Sequence, residues 1–358
     1  CNATFNIQSD NEGKAFLAQG KVGLSAANNG IDATIKLNGT SISLLNKYLA
    51  GYVSHLSGAV TGNLNIGGTT RVPSVKGSLT LDTVGVTVDY LGTHYRIPKL
   101  NVNVDDNLIE FGNFLLIDKY NTKGTASGYI SHDHFDKLNF DFDVTGRKFL
   151  FLNTSATDND LFYGDVIADG KVYFSGPLND MQIHIIARPN KDTHFYLPMS
   201  DSKDIGKYDY ITFKTYGTEI AEKKKKKDNT KLTVKLDIAA NPDAQIDVIL
   251  DATTGDIISA NGTGNLQITV NTEGDFTMFG NYEINNGSYN FNFQRLTSWK
   301  FDIEKNSTIT WNGDPSEARV NIMAKYSLPK VSLYNLVGQG TNVTSDKLAT
   351  RTEKVDVL

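Results

Sequence analysis

The sequence has one cysteine, eight prolines and no excess of basic residues over its 358 positions. A single cysteine excludes a disulfide framework and any zinc site built on several thiolates. With 35 Lys and Arg against 40 Asp and Glu, the net charge is −5, so the basic footprint of a nucleic-acid-binding protein is absent. No run of about 18 or more apolar residues occurs, which excludes a membrane-spanning helix within this sequence.

The chain is longer than one typical domain of about 150 residues, which indicates several domains or one repetitive, elongated structure. It starts at Cys1 without an initiator Met and stops at Leu358 inside an alternating run. We therefore expect a piece of a longer protein. The alternative is that Cys1 is the acylated first residue of a mature lipoprotein.

Apolar and polar residues alternate through most of the chain, which is the period of strands with one buried face. Asn and Gly at 28–30, 67–68, 169–170, 254–256 and 285–287 predict tight hairpins and hence antiparallel neighbours. The sequence therefore predicts an all-β fold, a long curved sheet with few short helices. Roughly 25 strands at about 4.8 Å each would extend on the order of 120 Å.

Two interruptions of this pattern are visible. Leu44, Leu45, Tyr48, Leu49 and Tyr52 have helical spacing and predict a short helix covering one end of the sheet, with a weaker candidate at 331–337. The lysine run at 223–227 predicts a solvated loop. We divide the chain there into β-repeats over 1–221, a charged insertion at 222–228 and a C-terminal β-domain over 229–358, and expect the sheet to continue across the insertion.

Residues that resemble catalytic or metal-binding groups are few. His132 and His134 flank Asp133, but no third ligand is nearby, and a turn explains the trio better. Neither a glycine-elbowed nucleophile nor a phosphate loop is found. We therefore expect a non-enzyme without cofactor or metal.

The C-terminal third carries a family likeness. The segments that carry it are FGNYEI at 279–284, GSYNF at 287–291, FDIE at 301–304, STITWNGDP at 307–315 and ARVNIMAKY at 318–326, and upstream LIDKYN at 116–121, GYISH at 128–132, LNT at 152–154 and FYG at 162–164. This combination resembles the TamB C-terminal domain in its Bacteroidota form, clearly from about residue 57 onward. The residues that match the family motif are Gly280, Tyr282, Gly287, Tyr289, Trp311, Gly313, Asp314, Pro315, Ala324 and Tyr326.

The resemblance implies an AsmA-like β-protein, tethered to the inner membrane by an N-terminal anchor outside this sequence and crossing the periplasm. Its implied partners are phospholipid acyl chains and an Omp85-type outer-membrane barrel of the TamA kind. The implied fold is a sheet folded lengthwise into an open apolar trough, the β-taco. The implied roles are phospholipid movement toward the outer membrane and support of outer-membrane protein assembly.

A sheet with one apolar face must cover it by stacking, by closing on itself or by holding an apolar ligand. From composition alone the dry core of an ordinary β-sandwich is the alternative to a trough. The function alternatives are a scaffold for barrel assembly and an extracellular adhesin. The residues predicted to line the trough are Leu232, Val234, Leu236, Ile238, Ile246, Val248, Leu250, Leu266, Ile268, Val270, Phe276, Met278, Tyr289, Phe291, Phe293, Phe301, Ile303, Ile309, Trp311, Val320 and Ile322.

Overall fold

A computed structural model of the chain describes residues 2–11, 14–24, 29–159, 162–177, 179–199, 214–215, 218–219, 231–293, 297–332 and 352–357. The strands are β1 Asn2–Asn11, β2 Lys14–Gly23, β3 Ile31–Ser41, β4 Val53–Gly68, β5 Pro73–Val88, β6 Thr93–Asp105, β7 Leu108–Ile117, β8 Lys123–Asp133, β9 Asp136–Thr154, β10 Tyr163–Pro177, β11 Asp180–Pro189, β12 His194–Pro198, β13 Lys214–Thr215, β14 Thr218–Glu219, β15 Lys231–Ala240, β16 Gln245–Asp251, β17 Asp256–Asn271, β18 Phe276–Phe293, β19 Thr297–Ile303, β20 Ser307–Gly313, β21 Arg319–Asn321, β22 Ala324–Ser332 and β23 Thr352–Val357. Short 3-10 helices occupy Ile42–Lys47, Asp89–Leu91 and Pro315–Glu317. No helix within the described ranges is long and apolar enough to cross a membrane.

One sheet of 21 strands forms nearly the whole fold, and β13 and β14 pair separately as a short hairpin. From β1 to β10 each strand pairs antiparallel with the next, as the hairpin-rich sequence predicts. The exceptions are two parallel pairs, β11 with β15 and β12 with β16. The all-β, mostly antiparallel prediction is confirmed.

The sheet is bent along a line that crosses its strands, which we call the crease. β11 and β12 run in one direction along β10 but are separated by the turn at 190–193. β15 and β16 are separated in the same way at 241–244 along β17, and β19 and β20 at 304–306 along β18. Each pair is one long strand interrupted at the crease, so from β10 to β20 the sheet has one part on either side of it.

Polar side chains replace backbone pairing along the crease. Thr193 accepts a hydrogen bond from the Ile167 amide at 3.1 Å and donates to its carbonyl at 2.7 Å. Asn241 donates to the Pro189 carbonyl, and Asn261 donates to the Ala244 carbonyl at 2.8 Å. These bonds matter because an unpaired backbone group buried in the bend would destabilise it.

The structure corrects two predicted hairpins. Gly170 lies inside β10 and Gly287 inside β18, both beside register shifts at the crease. There the Asp169 carboxylate accepts from the Lys148 amide at 2.8 Å and from the Asn190 side chain at 2.8 Å. Turn-forming residues at these positions bend a continuous strand and do not reverse it.

The sheet is also shorter than predicted. The two halves of an interrupted strand lie end to end and occupy one strand position in the sheet. The sheet from β1 to β22 therefore has roughly sixteen strand positions and is about 70 Å wide at about 4.8 Å per strand. The longest strands have 18 and 19 residues, so the chain is used for strand length. The 23 strands of the described residues are close to the roughly 25 predicted, but the predicted extent on the order of 120 Å was wrong because interrupted strands share one place in the sheet.

Two large hydrophobic clusters and a small one of Leu91, Leu152 and Phe162 fill the folded sheet, and Leu236 and Ile238 pack against both large clusters. The first cluster extends from Ile42 to Val234, so the apolar interior crosses the proposed boundary at 222–228. The lysine run itself lies outside the described residues. β11 and β15 pair directly across it, which makes the sheet continuous as expected.

The helix predicted from Leu44 to Tyr52 is wrong. Only a 3-10 helix at Ile42–Lys47 forms, capped by the Ser41 hydroxyl and anchored by buried Ile42. Leu44 and Tyr48 are 71% and 81% exposed, so this segment does not cover the end of the sheet. Of the weaker candidate at 331–337, residues 331–332 end β22 and the others lie outside the described residues.

Candidate functional site

The crease divides the C-terminal half of the sheet into two walls. The first wall consists of β11, β15, β20 and the adjoining halves of β17 and β18 at 264–271 and 276–284. The second wall consists of β12, β16, β19 and the other halves at 256–261 and 287–293. Opposed residues in neighbouring strands share a face, so each wall has one inner and one outer face.

An apolar cavity of about 110 Å³ lies between the inner faces of these walls. Its lining residues carry no charge, and their polar side-chain atoms belong only to Thr193, Tyr90, Tyr282 and Trp311. The lining is Tyr90, Leu91, Phe151, Leu152, Phe162, Val166, Ile183, Ile185, Ala187, Pro189, Thr193, Phe195, Leu197, Val234, Leu236, Ile238, Ala244, Ile246, Val248, Ile258, Ala260, Leu266, Ile268, Met278, Tyr282, Ile309 and Trp311.

Aromatic rings occupy one end of the cavity. The Phe162 ring lies 6.0 Å from Phe195 and 6.3 Å from Tyr90, measured between ring centroids. Such pairs pack tightly and hold their rings in fixed orientations. Tyr90 also packs against the hydrophobic cluster that extends from Ile42 to Val234, so this end joins the cavity to that core.

Glycines make room for the large side chains at the other end. Gly280 pairs with Trp311 across β18 and β20, so the indole meets no opposing side chain in that pair. The Tyr282 ring lies over Gly262, where an added Cβ would come within 2.7 Å of the ring. Both large residues are at most 4% exposed. Burial raises the pKa of the Tyr282 phenol above its ordinary value.

The structure brings many of the predicted trough residues together. On the first wall the cavity is lined by predicted residues of β15, β17, β18 and β20, and on the second wall by two residues of β16. They are Val234, Leu236, Ile238, Leu266, Ile268, Met278, Ile309, Trp311, Ile246 and Val248.

A second group of predicted residues packs in the same hydrophobic clusters without lining the cavity. Its members are Leu232, Val270, Phe276, Tyr289, Ile303 and Ile322. Phe301 stacks on Tyr289 at 6.2 Å, and Phe291 stacks on Trp299 at 5.8 Å, so the inner face continues as an aromatic strip beyond the cavity. The side chain of Phe293 lies outside the described residues.

Two predicted residues are exposed. Leu250 is 40% exposed because a register shift between Ile249 and Asp251 takes it out of the alternation of β16. Val320 is 55% exposed although it pairs with buried Ile309, and all three residues of the short strand β21 are exposed. Neither Leu250 nor Val320 lines the cavity.

Several lining residues were missed by the sequence analysis. Phe195 and Leu197 belong to β12, which has only five residues and gives little periodic signal. Ile258 follows Ile257 directly, so alternation alone does not say which of the two faces inward. Ile183, Ile185 and Ala187 do alternate, and only their pairing with β15 brings them to the same cavity.

The motif around Trp311 ends the first wall. The Asp314 carboxylate accepts from the Ser316 amide at 2.8 Å and so caps the 3-10 helix that contains buried Pro315. Gly313 adopts a φ of 141°, which favours glycine. Of the remaining motif residues, Gly287 opposes Ala260 and Ile303, Ala324 pairs with Ile303, and the Tyr326 ring lies 5.5 Å from Phe301. These contacts are structural.

The histidines have structural partners. His132 stacks on Phe135 at 4.3 Å and accepts from its amide in the turn between β8 and β9, while His134 contacts the Pro73 carbonyl. On the outer face His194 bonds Asp247 at 2.8 Å, close to the stacked rings of Tyr163 and Tyr196. Within the described residues no group of three or more His, Cys, Asp or Glu could hold a metal ion.

Comparison with known protein families gives a match. The family model described as the TamB C-terminal domain matches residues 113–358, which is more than half of the chain and includes both walls and the predicted boundary at 222–228. No curated protein and no solved structure shows significant similarity to the chain.

Proposed function

Because the chain belongs to the family of the TamB C-terminal domain, whose role lies in outer-membrane assembly and lipid transport, we propose that its trough carries phospholipid acyl chains. In this proposal the chain is a periplasmic segment of a bridge between the two membranes. An N-terminal anchor outside the sequence holds it to the inner membrane, and an Omp85-type barrel receives it at the outer membrane.

The observation that supports the proposal is the uncharged cavity between the two walls. Each methylene group moved from water into such a lining contributes about 0.8 kcal/mol, whereas a buried unpaired charge costs far more. A lipid therefore binds with its acyl chain between the walls and its headgroup in water. The same lining disfavours ionic and strongly polar ligands.

The size of the cavity sets a condition on this function. At about 110 Å³ it is smaller than the engineered cavity of about 150 Å³ that holds one benzene molecule. An acyl chain of a phospholipid is longer than this, so the walls must move apart to admit it. We propose that lipid binding and separation of the walls occur together.

A second candidate is a scaffold for outer-membrane barrel assembly. It is favoured by the free edge of β1, which pairs with β2 on one side and with no other strand in the described part of the chain. Within β1 the side chains of residues 2–9 are exposed apart from half-buried Phe5. Such an edge can add a strand of another chain by backbone hydrogen bonding.

Native mass spectrometry of the purified chain separates the two candidates. We expect bound phospholipid that survives gentle desolvation and is identified after extraction. A folded protein that carries no lipid, and takes none from phosphatidylethanolamine vesicles, contradicts the lipid function and favours the scaffold.

A further inference from the structure

One polar atom in the cavity lining lacks a partner. The indole Nε1 of Trp311 is buried and has no hydrogen-bond partner among the described residues, and the residue is 4% exposed. Trp311 lines the cavity next to Ile309 of the same strand. A buried N–H without an acceptor is unfavourable, and buried indole nitrogens usually have one.

The other polar side chains of the cavity lining do not supply that acceptor. Thr193 is engaged with both backbone groups of Ile167, and the Tyr282 hydroxyl is 3.5 Å from the Ala260 carbonyl. Tyr90 is hydrogen-bonded to Asn159. A lone water is also a poor solution, because a buried water needs two to four polar partners and apolar cavities stay dry.

The position of Trp311 along β20 sets the depth at which the acceptor atom of a ligand would have to lie. β20 ends at Gly313, and Asp314 at the rim is three residues beyond Trp311. At about 3.4 Å per residue this places the indole roughly 10 Å below the rim. A ligand whose charged end stays at the rim would therefore present to Trp311 the polar atoms that join its head to its hydrocarbon chain.

We propose that Trp311 donates a hydrogen bond to the ester carbonyl oxygen of a glycerolipid, so that the trough selects ester-linked over ether-linked lipids. The inference rests on the proposed function and deepens it. The carbonyl is the strongest acceptor located between a lipid headgroup and its acyl chain, and an ether linkage lacks it. The remaining lining is apolar and accepts either hydrocarbon chain equally well.

The test offers the chain equal amounts of dipalmitoyl phosphatidylethanolamine and its dihexadecyl ether analogue in mixed vesicles. The protein is re-isolated, and the ratio of bound diester to bound diether lipid is measured by mass spectrometry. We expect the wild type to prefer the diester roughly fivefold, and Trp311→Phe to show a ratio near one because the N–H is gone. Trp299→Phe is the matched control and should keep the wild-type ratio, since Trp299 does not line the cavity.

A second measurement does not depend on the folding of the Trp311 variant. In Trp299→Phe, Trp311 is the only tryptophan, and its indole N–H resonance should move downfield with the diester lipid and not with the diether. Equal binding of both lipids by the wild type, or a preference that persists in Trp311→Phe, overturns the inference alone. If neither lipid binds to the wild type, the proposed function fails with it.

Discussion

The Tyr95 hydroxyl donates a hydrogen bond of 2.8 Å to the carbonyl oxygen of Leu150, and both residues are buried. The Leu150 amide in turn donates to the Asp118 carboxylate at 3.0 Å. Tyr95 lies near the start of β6, Leu150 lies near the end of β9, and Asp118 follows β7, so these bonds join strands that are not neighbours in the sheet. They fix the extension of β9 over the ends of β7 and β8.

Replacing Tyr95 with Phe should lower the free energy of unfolding by about 1–3 kcal/mol, because the Leu150 carbonyl is left buried without its donor. The stacking of residue 95 on Phe149, at 5.3 Å in the wild type, is retained. Urea unfolding followed by circular dichroism measures the change. Tyr129→Phe is the control, since the exposed Tyr129 hydroxyl bonds only the Asp141 carboxylate and its loss should matter less. Equal losses of stability in the two variants would contradict a stabilising role of the Tyr95 hydrogen bond.

Alkaline pH should destabilise the fold through Tyr95 and Tyr282. Burial raises the pKa of both phenols above the value of about 10 for an unfolded chain. Above pH 10 the folded state therefore holds protons that the unfolded state releases, and stability falls by up to about 1.4 kcal/mol per pH unit for each group. The double variant Tyr95→Phe, Tyr282→Phe should show a shallower fall between pH 10 and 11 in urea titrations. Parallel pH profiles for variant and wild type would refute this.

Replacing Asp118 should destabilise the protein more than replacing an exposed carboxylate in another turn. It is 1% exposed and accepts from the amides of Tyr120, Thr122 and Leu150. Asp118→Asn turns one acceptor oxygen into a donor facing an N–H group, and we expect a loss of about 2–3 kcal/mol in unfolding free energy. Asp158→Asn changes an exposed carboxylate that accepts from Ser155 and should have a much smaller effect in the same assay. The prediction fails if the two variants are equally stable.

Gly280 should not tolerate a side chain. Its φ is 131°, and an added Cβ would lie 2.1 Å from the Asn265 carbonyl oxygen. Gly280→Ala should therefore cost more than about 1 kcal/mol of stability and displace the neighbouring Trp311, visible as a change in its fluorescence. Gly67→Ala, where the added Cβ meets nothing within 4 Å, should leave both signals unchanged. Similar thermal midpoints for both variants would rule out this role of Gly280.

Val248 and Leu250 provide a matched test of the lipid path. Both were predicted to line the trough, but Val248 is 8% exposed and lines the cavity, whereas Leu250 is 40% exposed. Val248→Asp puts a charge between the walls and should abolish lipid binding and transfer between vesicles, as should Ile268→Arg, while circular dichroism retains the β signal. Leu250→Asp should bind lipid like the wild type. Undiminished transfer by a folded Val248→Asp would exclude the cavity as the path.

Period-two alternation was sufficient to predict the strands and much of the inner face. Leu266 and Ile268 obey it without interruption, and both line the cavity. The same pattern failed at Leu250, where the strand contains one extra residue. Such a bulge moves the following side chains to the opposite face of the sheet, and the amino-acid sequence gives no sign of it.

The crease could not be predicted in this way. Asn-Gly sequences predict hairpins when taken locally, and at 285–287 the chain uses one to bend β18 without reversing it. Whether a turn former reverses or bends the chain depends on which strands lie on either side. Those pairings include the parallel contact of β12 with β16, which joins segments about fifty residues apart. This pairing of β12 with β16 also brings Phe195 of β12 to the same cavity as Trp311 of β20.

The interruption of three strands along one line also has a mechanical consequence. Across that line the backbone continues unbroken in β9, β10, β17 and β18, whereas the interrupted pairs are connected by short turns and by the side chains of Thr193 and Asn241. Rotation about it would change torsion angles in those turns and leave the hydrogen-bonded ladders within each half intact. Because each half keeps its own hydrogen-bonded ladder, the junction between the halves is the flexible part. The angle between the halves therefore sets how thick a ligand the trough can hold.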